Sequence, residues 1–204
     1  MTSIITGDII NSRNTSASSW MNALKPILND IGETPGYWEI FRGDSFQVEI
    51  PAPEEALFRA FQIKAVIKCI KDLDVRMSIG IGTKSYSADK ITESNGEAFI
   101  NSGDGFEALE KNRQTLLVTT NQPAFDEEMN LYIRLLLIAL DNWTVKSAEF
   151  VAVNLQKNMT QEAIAKKLNI GQSSVSERNQ RSYFSELKEV EIRYRKLIKT
   201  YQLG

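Results

Sequence analysis

Two aspartates in the N-terminal half, Asp8 and Asp44, are the side chains best placed for chemistry. Asp8 interrupts an apolar, β-branched segment, residues 3–10, where an unpaired carboxylate is costly because it loses its hydration. Asp44 lies at the tip of a predicted hairpin, and a sheet with this hairpin beside the first strand lets both carboxylates approach one cation. Two carboxylates completed by phosphate oxygens are a usual way for proteins to hold Mg²⁺. The pair therefore predicts a Mg²⁺ site that could polarise a phosphoryl group or activate a hydroxyl.

A phosphate or nucleotide ligand is the expected companion of such an ion. The polar loop after Asp8 can present backbone N–H groups to an anion where the next helix begins. Phosphoryl oxygens also need positive side chains near them. The residues predicted to bind this ligand are Asn11, Ser12, Arg13, Arg42 and Lys84.

The same residues also have a purely structural interpretation. Asp8 and Arg42 could form a partly buried salt bridge across the sheet, and Gly43-Asp44 is an ordinary sequence for a hairpin turn. Asp104, in Ser-Gly-Asp-Gly, is more typical of a loop than of a ligand, and Asn101 is more typical of capping or turn chemistry. Ligand binding and structural pairing both remain open from the sequence.

The amino-acid composition excludes several classes of catalytic and metal site. None of the 204 residues is histidine, which excludes histidine acid–base catalysis, Ser-His and Cys-His nucleophiles, and most transition-metal sites. The one cysteine, Cys69, excludes an internal disulfide, and we expect it to be buried packing in a helix. A bound metal is expected to be a hard cation on oxygen ligands.

No targeting or membrane segment is expected. The N-terminus lacks the basic segment followed by an apolar stretch that is typical of a secretory signal. The longest apolar run, residues 131–140, contains Arg134 and is shorter than the roughly 20 residues of a membrane helix. We expect a cytoplasmic protein with no membrane partner.

Strands and helices alternate through the first 120 residues and predict an α+β fold. Their order is strand, helix, hairpin, helix, strand, helix and strand, which is the split βαβ pattern of ferredoxin-like and palm-type sheets. The predicted strands and hairpin cover residues 3–10, 37–50, 76–82 and 116–119, and the predicted helices cover residues 20–31, 53–73, part of 96–112, and 123–141.

The register of the hairpin decides which way its side chains point. A two-residue turn at Gly43-Asp44, with glycine first, is a common hairpin turn. The directly opposite pairs would then be Phe41 with Phe46, Glu39 with Val48, and Tyr37 with Ile50.

Several segments resemble known families. Asp8-Ile9-Ile10-Asn11-Ser12 and Arg42-Gly43-Asp44-Ser45-Phe46 resemble the two metal-binding stretches of class III nucleotidyl cyclases and GGDEF diguanylate cyclases, and Ser78-Ile79-Gly80-Ile81-Gly82-Thr83 resembles the cyclase strand after the second helix. The resemblance implies that acidic residues on the first strand and the hairpin bind metal ions. The Asn-x-x-x-Arg pair of the cyclases is not matched, since Asn101 is followed four residues later by Gly105. The adenine-reading lysine has no counterpart, and the GGDEF pattern is incomplete at Arg42 and Ser45.

The whole layout is similar to the SatD family. The shared features are the opening Ile-Thr-Gly-Asp-Ile, the central Arg-Gly-Asp-Ser-Phe, Gly-Glu-Ala-Phe at residues 96–99, and a C-terminal helix-turn-helix. This resemblance covers nearly the full chain but implies no well-defined activity.

The C-terminal part contains a helix-turn-helix pattern at residues 160–176. Thr160 is a good N-cap, and Ala165 is small enough to let two helices cross closely. Asn169 takes the turn position usually given to glycine, since asparagine tolerates positive φ, and Gly171 replaces the usual Ser or Thr cap of the second helix. The pattern resembles trihelical DNA-binding modules, in which the second helix enters the major groove.

Charge supports DNA as the partner of this part. Residues 144–204 contain 11 Lys and Arg against 6 Asp and Glu, whereas residues 1–143 contain 13 against 20. Helix-turn-helix folds also serve as protein contacts, however, and Glu177 is unfavourable near phosphate. The residues predicted to face bases or phosphates are Lys166, Lys167, Gln172, Ser173, Ser176, Arg178, Asn179 and Arg181.

The sequence as a whole predicts a regulator in two parts. Residues 1–121 would form a palm-like domain that binds Mg²⁺ and a nucleotide or phosphate ligand, residues 122–143 a connector helix, and residues 144–204 a DNA-binding domain. An apolar stripe from Tyr183 to Tyr201 predicts a last helix that serves as core or dimer surface, and a homodimer would suit two DNA half-sites. The alternatives are a Mg²⁺-dependent nucleotidyl cyclase or related phosphoryl-transfer enzyme, and a scaffold in which both sites are degenerate.

Overall fold

The fold is built on one mixed β-sheet with helices packed against it. The computed structural model describes residues 1–156 and 159–204, and this part of the chain contains five strands and eight α-helices. The predicted α+β class is confirmed. The strands are β1 (Thr2–Ile10), β2 (Trp38–Phe41), β3 (Ser45–Ile50), β4 (Asp74–Gly82) and β5 (Leu116–Thr119). The helices are α1 (Ala17–Ile31), α2 (Ala56–Lys68), α3 (Glu97–Asn112), α4 (Pro123–Leu140), α5 (Val145–Gln156), α6 (Gln161–Leu168), α7 (Gln172–Ser182) and α8 (Phe184–Thr200).

The strand order across the sheet is β2-β3-β1-β4-β5. The central strand β1 is antiparallel to both β3 and β4, whereas β5 runs parallel to β4. In this register Asp8 lies opposite Ser45 of β3 on one side and opposite Arg76 of β4 on the other. The topology thus brings the end of the first strand beside the hairpin turn.

Side chains of β1 alternate between two faces of the sheet. Ile5 belongs to the main hydrophobic core, whereas Ile4 packs in a small second cluster with residues of α3. Thr6 lies on the same side as Ile4, and its Oγ1 is 3.0 Å from Oγ of Ser102 in α3. Because successive strand side chains point to opposite faces, Asp8 projects on the α3 side.

The hairpin register differs from the prediction by one residue. The turn has three residues rather than two, with Arg42 at φ 52° and Gly43 at φ 95°. A shift of one residue moves every side chain of a strand to the other face, so the predicted pairs are wrong. The observed register buries the bulky apolar side chains together, since it pairs Trp38 with Val48, Glu39 with Gln47, Ile40 with Phe46, and Phe41 with Ser45.

All elements described after residue 143 are helices, and they begin and end largely where the sequence predicts. The Thr160 hydroxyl accepts the Ala163 N–H at 3.2 Å, which confirms the N-cap of α6. Asn169 has φ 52°, which confirms its place in the turn. Helix α7 begins at Gln172, and Gly171 provides no side-chain cap.

The last helix, α8, packs back against the first half of the chain. Tyr194 is fully buried, and its hydroxyl donates to the Pro53 carbonyl at 2.7 Å. Ion pairs join Arg195 to Glu55 at 2.5 Å and Arg193 to Glu128 at 2.7 Å. The boundary predicted near residue 143 falls in the turn between α4 and α5, and one hydrophobic core continues across it from the sheet to α8.

Within residues 1–156 and 159–204, no helix has the length and hydrophobicity that a bilayer span requires.

Candidate functional site

The Asp8 carboxylate is bound by Arg76 near the end of the central strand β1. Arg76 donates from Nε to Oδ1 at 2.9 Å and from Nη2 to Oδ2 at 2.6 Å. The two side chains are 18% and 33% exposed, so the pair is shielded from water without being fully buried. Such a two-point contact is the strong, geometrically specific form of an ion pair.

The loop after β1 brings Asp44 to the same place. The Ile9 N–H donates to the Asp44 carbonyl at 3.1 Å, which ties the hairpin turn to the end of β1. The Ser12 hydroxyl donates to Oδ2 of Asp44. Asn11 has φ 63°, a left-handed conformation that asparagine tolerates, and it turns the chain into a short 3₁₀ helix at Ser12–Asn14.

These residues surround an open cleft of about 440 Å³. Its charged side chains are two carboxylates and two guanidinium groups. The guanidinium groups can bind negative groups of a ligand, and the carboxylates can bind positive groups. The cleft is lined by Asp8, Ile9, Ile10, Asn11, Ser12, Arg13, Asn14, Asp44 and Arg76.

Electrostatics around Arg76 favour its charged form. The hydrogen bonds that Arg76 donates to Asp8 raise the pKa of Arg76, and the charges of Asp8, Glu110 and Asp44 add to the effect against the opposing cost of partial burial. Arg76 is therefore a permanent cation that lies within the field of both cleft carboxylates.

The donor atoms of the cleft suit Mg²⁺ as part of a ligand complex. Within residues 1–156 and 159–204, no three His, Cys, Asp or Glu side chains converge as a complete metal site. Asp8 and Asp44 offer carboxylate oxygens, the donors that Mg²⁺ prefers, and this ion usually takes only one or two carboxylates together with phosphate and water. The two aspartates therefore suit a Mg²⁺ ion whose remaining ligands are phosphate and water.

Two of the predicted phosphate-binding residues lie away from the cleft. Arg42 is exposed in the hairpin turn, and it is Arg76 rather than Arg42 that binds Asp8. Lys84 follows the far end of β4, where its Nζ binds Glu49 at 2.6 Å. Because β1 and β4 are antiparallel, Lys84 lies near Thr2 rather than near Asp8. Arg42 and Lys84 are therefore not among the residues that line the cleft, whereas Asn11, Ser12 and Arg13 are.

Asn101 does not line the cleft. Asn101 lies inside α3 and is 7% exposed, and its Nδ2 donates to the Ile81 carbonyl at 2.8 Å. The side chain thus fastens α3 to β4, and the capping or turn role expected from the sequence is wrong.

The candidate DNA surface is the outer side of α7. Gln172, Ser173 and Ser176 are exposed along this helix, as the sequence predicts, and Gln180 extends the same surface. Val175 is fully buried against α5 and α6, which fixes the rotation of α7. Lys166 and Lys167 are exposed on the neighbouring helix α6, and Asn179 is half-buried.

Arg178 is the clearest exception among the predicted DNA-contacting residues. Its side chain is 15% exposed, and Nη1 donates to Glu149 at 3.1 Å and to the Lys146 carbonyl at 3.4 Å. Arg178 therefore holds α7 against α5 instead of reaching outward, because its position on α7 faces the first helix of the module. Arg181, one turn later, is 73% exposed and paired with Glu177.

Two residues that line clefts were not singled out from the sequence. Arg76 carries no local motif, and only its register opposite Asp8 reveals its role. Lys146, at the start of α5, lines a cleft of about 540 Å³ together with Arg181.

We found no match to this chain among protein-family models, curated proteins or solved structures.

Proposed function

We propose that the protein is a DNA-binding regulator that senses a phosphate-bearing nucleotide through the cleft at the end of β1. The observation that carries the proposal is the convergence of Asp8, Asp44, Arg13 and Arg76 on one open cleft. The resemblance of the segments around Asp8 and Asp44 to nucleotidyl cyclases agrees with a nucleotide ligand. The antiparallel order β2-β3-β1-β4 is that of a ferredoxin-like or palm-type sheet, and it supports assigning the N-terminal part to that class.

In the proposed complex, the cations of the cleft bind the phosphate. Arg13 is exposed at the rim, and Arg76 lies at the floor with its guanidinium on Asp8. The side-chain amide of Asn14 completes the set of donors to phosphate oxygens. The roles of these residues are to bind and orient the ligand.

Asp8 and Asp44 would hold Mg²⁺ when it accompanies the phosphate. The ion supplies charge neutralisation between the carboxylates and the phosphate oxygens. Ser12 orients the Asp44 carboxylate by donating to Oδ2, and Arg76 orients Asp8 in the same way.

The C-terminal helices would bind DNA through α7. Gln172, Ser173 and Ser176 would face base edges in the major groove, while Lys166, Lys167 and Arg181 would meet phosphates. The excess of basic residues after residue 143 supports this assignment.

A chain of polar contacts leads from the cleft toward the helix-turn-helix. Asn11 donates from Nδ2 to the Asp72 carbonyl at 3.1 Å, just before β4 begins at Asp74. Lys68 then bridges β4 to the end of α4, since it donates to Asp74 at 2.9 Å and to the Asp141 carbonyl at 2.8 Å. Movement of the cleft loop would therefore act on the start of the C-terminal helices.

The contact chain ends at α7 itself. Trp143 is buried, and its indole N–H donates to the Ser182 carbonyl at 2.9 Å, at the last residue of α7. We infer that ligand occupancy changes how α7 is presented to DNA. DNA affinity measured with and without ligand tests this coupling, which Trp143→Phe should weaken because it removes the bond to Ser182.

Thermal shift with ATP, GTP and cyclic dinucleotides, with and without Mg²⁺, tests the ligand. We expect a ligand to raise the melting temperature of the wild type, and Asp8→Asn and Asp44→Asn to lose this rise. Asp30→Asn is the matched control, because Asp30 also pairs with an arginine, Arg59 at 2.7 Å, but on an exposed surface outside the cleft. No ligand-induced shift in the wild type, or an equal shift in all four proteins, contradicts the proposal.

The second candidate function is a Mg²⁺-dependent nucleotidyl cyclase or related phosphoryl transferase. The paired carboxylates in one cleft favour it, whereas the packed position of Asn101 removes one expected ligand contact. Pyrophosphate released from ATP or GTP by the wild type, and not by Asp8→Asn, would establish catalysis.

A further inference from the structure

The outer face of α4 presents an apolar stripe to solvent. Leu131, Leu135 and Ile138 are 46%, 59% and 70% exposed. Their spacing of four and three residues places them on one side of the helix, opposite the residues that α4 buries in the core. Contiguous exposed apolar surface of this kind marks an interaction site more often than an isolated exposed leucine does.

A groove of about 390 Å³ lies beside this stripe, between α4 and the start of α8. Apolar atoms dominate its walls, and one of the lining residues, Tyr183, is 50% exposed. The lining residues are Tyr132, Leu135, Leu136, Ile138, Ala139, Tyr183, Glu186 and Val190. The apolar stripe forms a ridge and the groove beside it is concave. A helix of a partner can pack here, because helices pack with the ridges of one in the grooves of the other.

Two charged residues on the same side of α4 indicate which partner covers the apolar stripe. Glu127 and Arg134 are both exposed on α4, while the adjacent Glu128 is already paired with Arg193. Glu127 and Arg134 are seven residues apart, about 10 Å along the helix, and therefore too distant to pair with each other. They lie on either side of Leu131, four residues before it and three residues after it.

The charges on α4 are complementary to those of a second α4 that runs in the opposite direction. If a second α4 lies antiparallel across the first with the two Leu131 side chains in contact, Glu127 of each copy lies within one residue, about 1.5 Å along the helix axis, of the level of Arg134 in the other copy, so these two long side chains can pair. The small Ala124 of each copy then faces the bulky Ile138 of the other. A parallel arrangement would instead oppose like charges, Glu127 to Glu127 and Arg134 to Arg134, which is unfavourable.

We propose that the protein forms a two-fold symmetric homodimer through the outer face of α4, with the two α4 helices antiparallel about Leu131. The interface is isologous, so each favourable contact occurs twice. It leaves the exposed side of α7 outside the contact, so each dimer carries two helix-turn-helix units. The proposal does not depend on ligand binding at the cleft.

Sedimentation or light scattering over a concentration series tests the dimer. We expect the wild type to have twice the 23.0 kDa mass of one chain. Leu135→Glu and Ile138→Glu should make it monomeric. Ile192→Glu is the control, because Ile192 is 46% exposed, like Leu131, but lies on α8 away from the groove; it should leave the dimer intact.

A charge exchange tests the antiparallel orientation. Glu127→Arg and Arg134→Glu should each weaken the dimer about tenfold or more by opposing like charges, and the double variant should restore it. The circular dichroism spectrum should be unchanged, because both side chains are exposed. A monomeric wild type, a dimer that survives Leu135→Glu and Ile138→Glu, or a double variant weaker than both single variants would overturn the proposal.

Discussion

Asp8 and Arg76 lie directly opposite each other on neighbouring antiparallel strands and are joined by two hydrogen bonds, at 2.6 and 2.9 Å. The pair gives the Asp8 carboxylate a counter-ion within a strand whose other side chains are largely apolar. It also places a fixed cation beside the two carboxylates of the cleft, so in the proposed complex the arginine that binds Asp8 would also bind the ligand.

Removing Arg76 should destabilise the protein through Asp8. Arg76→Gln leaves a shielded carboxylate without its counter-ion, and we expect the free energy of unfolding to fall by about 1–2 kcal/mol, between the values of exposed and buried pairs. Urea unfolding at neutral pH measures the loss.

The double variant with Asp8→Asn isolates the pair itself. Because the uncompensated charge is then absent, the double variant should lose less stability than the sum of the two single losses. Strictly additive losses would show that Asp8 and Arg76 do not interact energetically.

The sequence predicted the element order and the helix-turn-helix because both depend on local signals. Thr160 caps α6 and Asn169 takes the left-handed turn, and each acts through its own neighbours in the chain. The hairpin register was not predictable in this way, since a two-residue turn at Gly43 is as reasonable as the observed three-residue turn. Burial of Trp38 against the core decided between them, and burial depends on the whole fold.

The candidate site was predicted only in part for the same reason. Asp8 and Asp44 interrupt patterns that can be seen in the sequence. Arg76 is an ordinary polar residue in an alternating strand, and it became a site residue only through pairing with β1. For Arg178 the error is the opposite one. The sequence predicted a DNA contact, whereas the side chain faces α5 and binds Glu149, which helical spacing alone did not reveal.

The exposed cationic side chains of α6 and α7 should determine the salt dependence of DNA binding. Each phosphate contact releases counter-ions, so Lys166→Ala, Lys167→Ala and Arg181→Ala should each reduce the slope of log K against log salt by about 0.9. Fluorescence anisotropy over a salt series measures the slope. Lys199→Ala, an exposed lysine at the end of α8, is the control and should leave it unchanged.

Arg178→Ala should behave differently from these three variants. Because Arg178 binds Glu149 and the Lys146 carbonyl, its loss should lower the melting temperature while the salt slope of the remaining binding stays near that of the wild type. A reduced slope with unchanged stability would instead assign Arg178 to DNA contact.

Cys69 should be a slow nucleophile in the folded protein. Burial raises the pKa of its thiol from 9.0 to about 11, and its Sγ donates to the Ala65 carbonyl. Since the thiolate is the reactive form, alkylation near pH 8 should be about a hundredfold slower than for the unfolded chain. Comparing the rate in buffer with the rate in concentrated urea measures this difference, and equal rates would contradict it.

The contact between α8 and the first half of the chain should weaken in acid through Glu55. The hydrogen bond from Arg195 holds the pKa of Glu55 below its ordinary value of 4.5, against the opposing effect of partial burial. A carboxyl with a lowered folded-state pKa stabilises the fold above its unfolded-state pKa, and that contribution is lost as pH falls through the folded-state value. Stability should therefore decline from about pH 5 downward.

Glu55→Gln removes this contribution and provides the measurement. At pH 7 we expect it to lower the free energy of unfolding by about 0.5 kcal/mol, since more than a third of the Glu55 side chain is exposed and water screens the pair. The difference from the wild type should shrink toward pH 3. Glu191, which also binds Arg195, works in the opposite direction because burial raises its pKa, and it is present in both proteins. A gap between wild type and variant that widens as the pH falls would show that the Glu55–Arg195 pair does not stabilise the docking of α8.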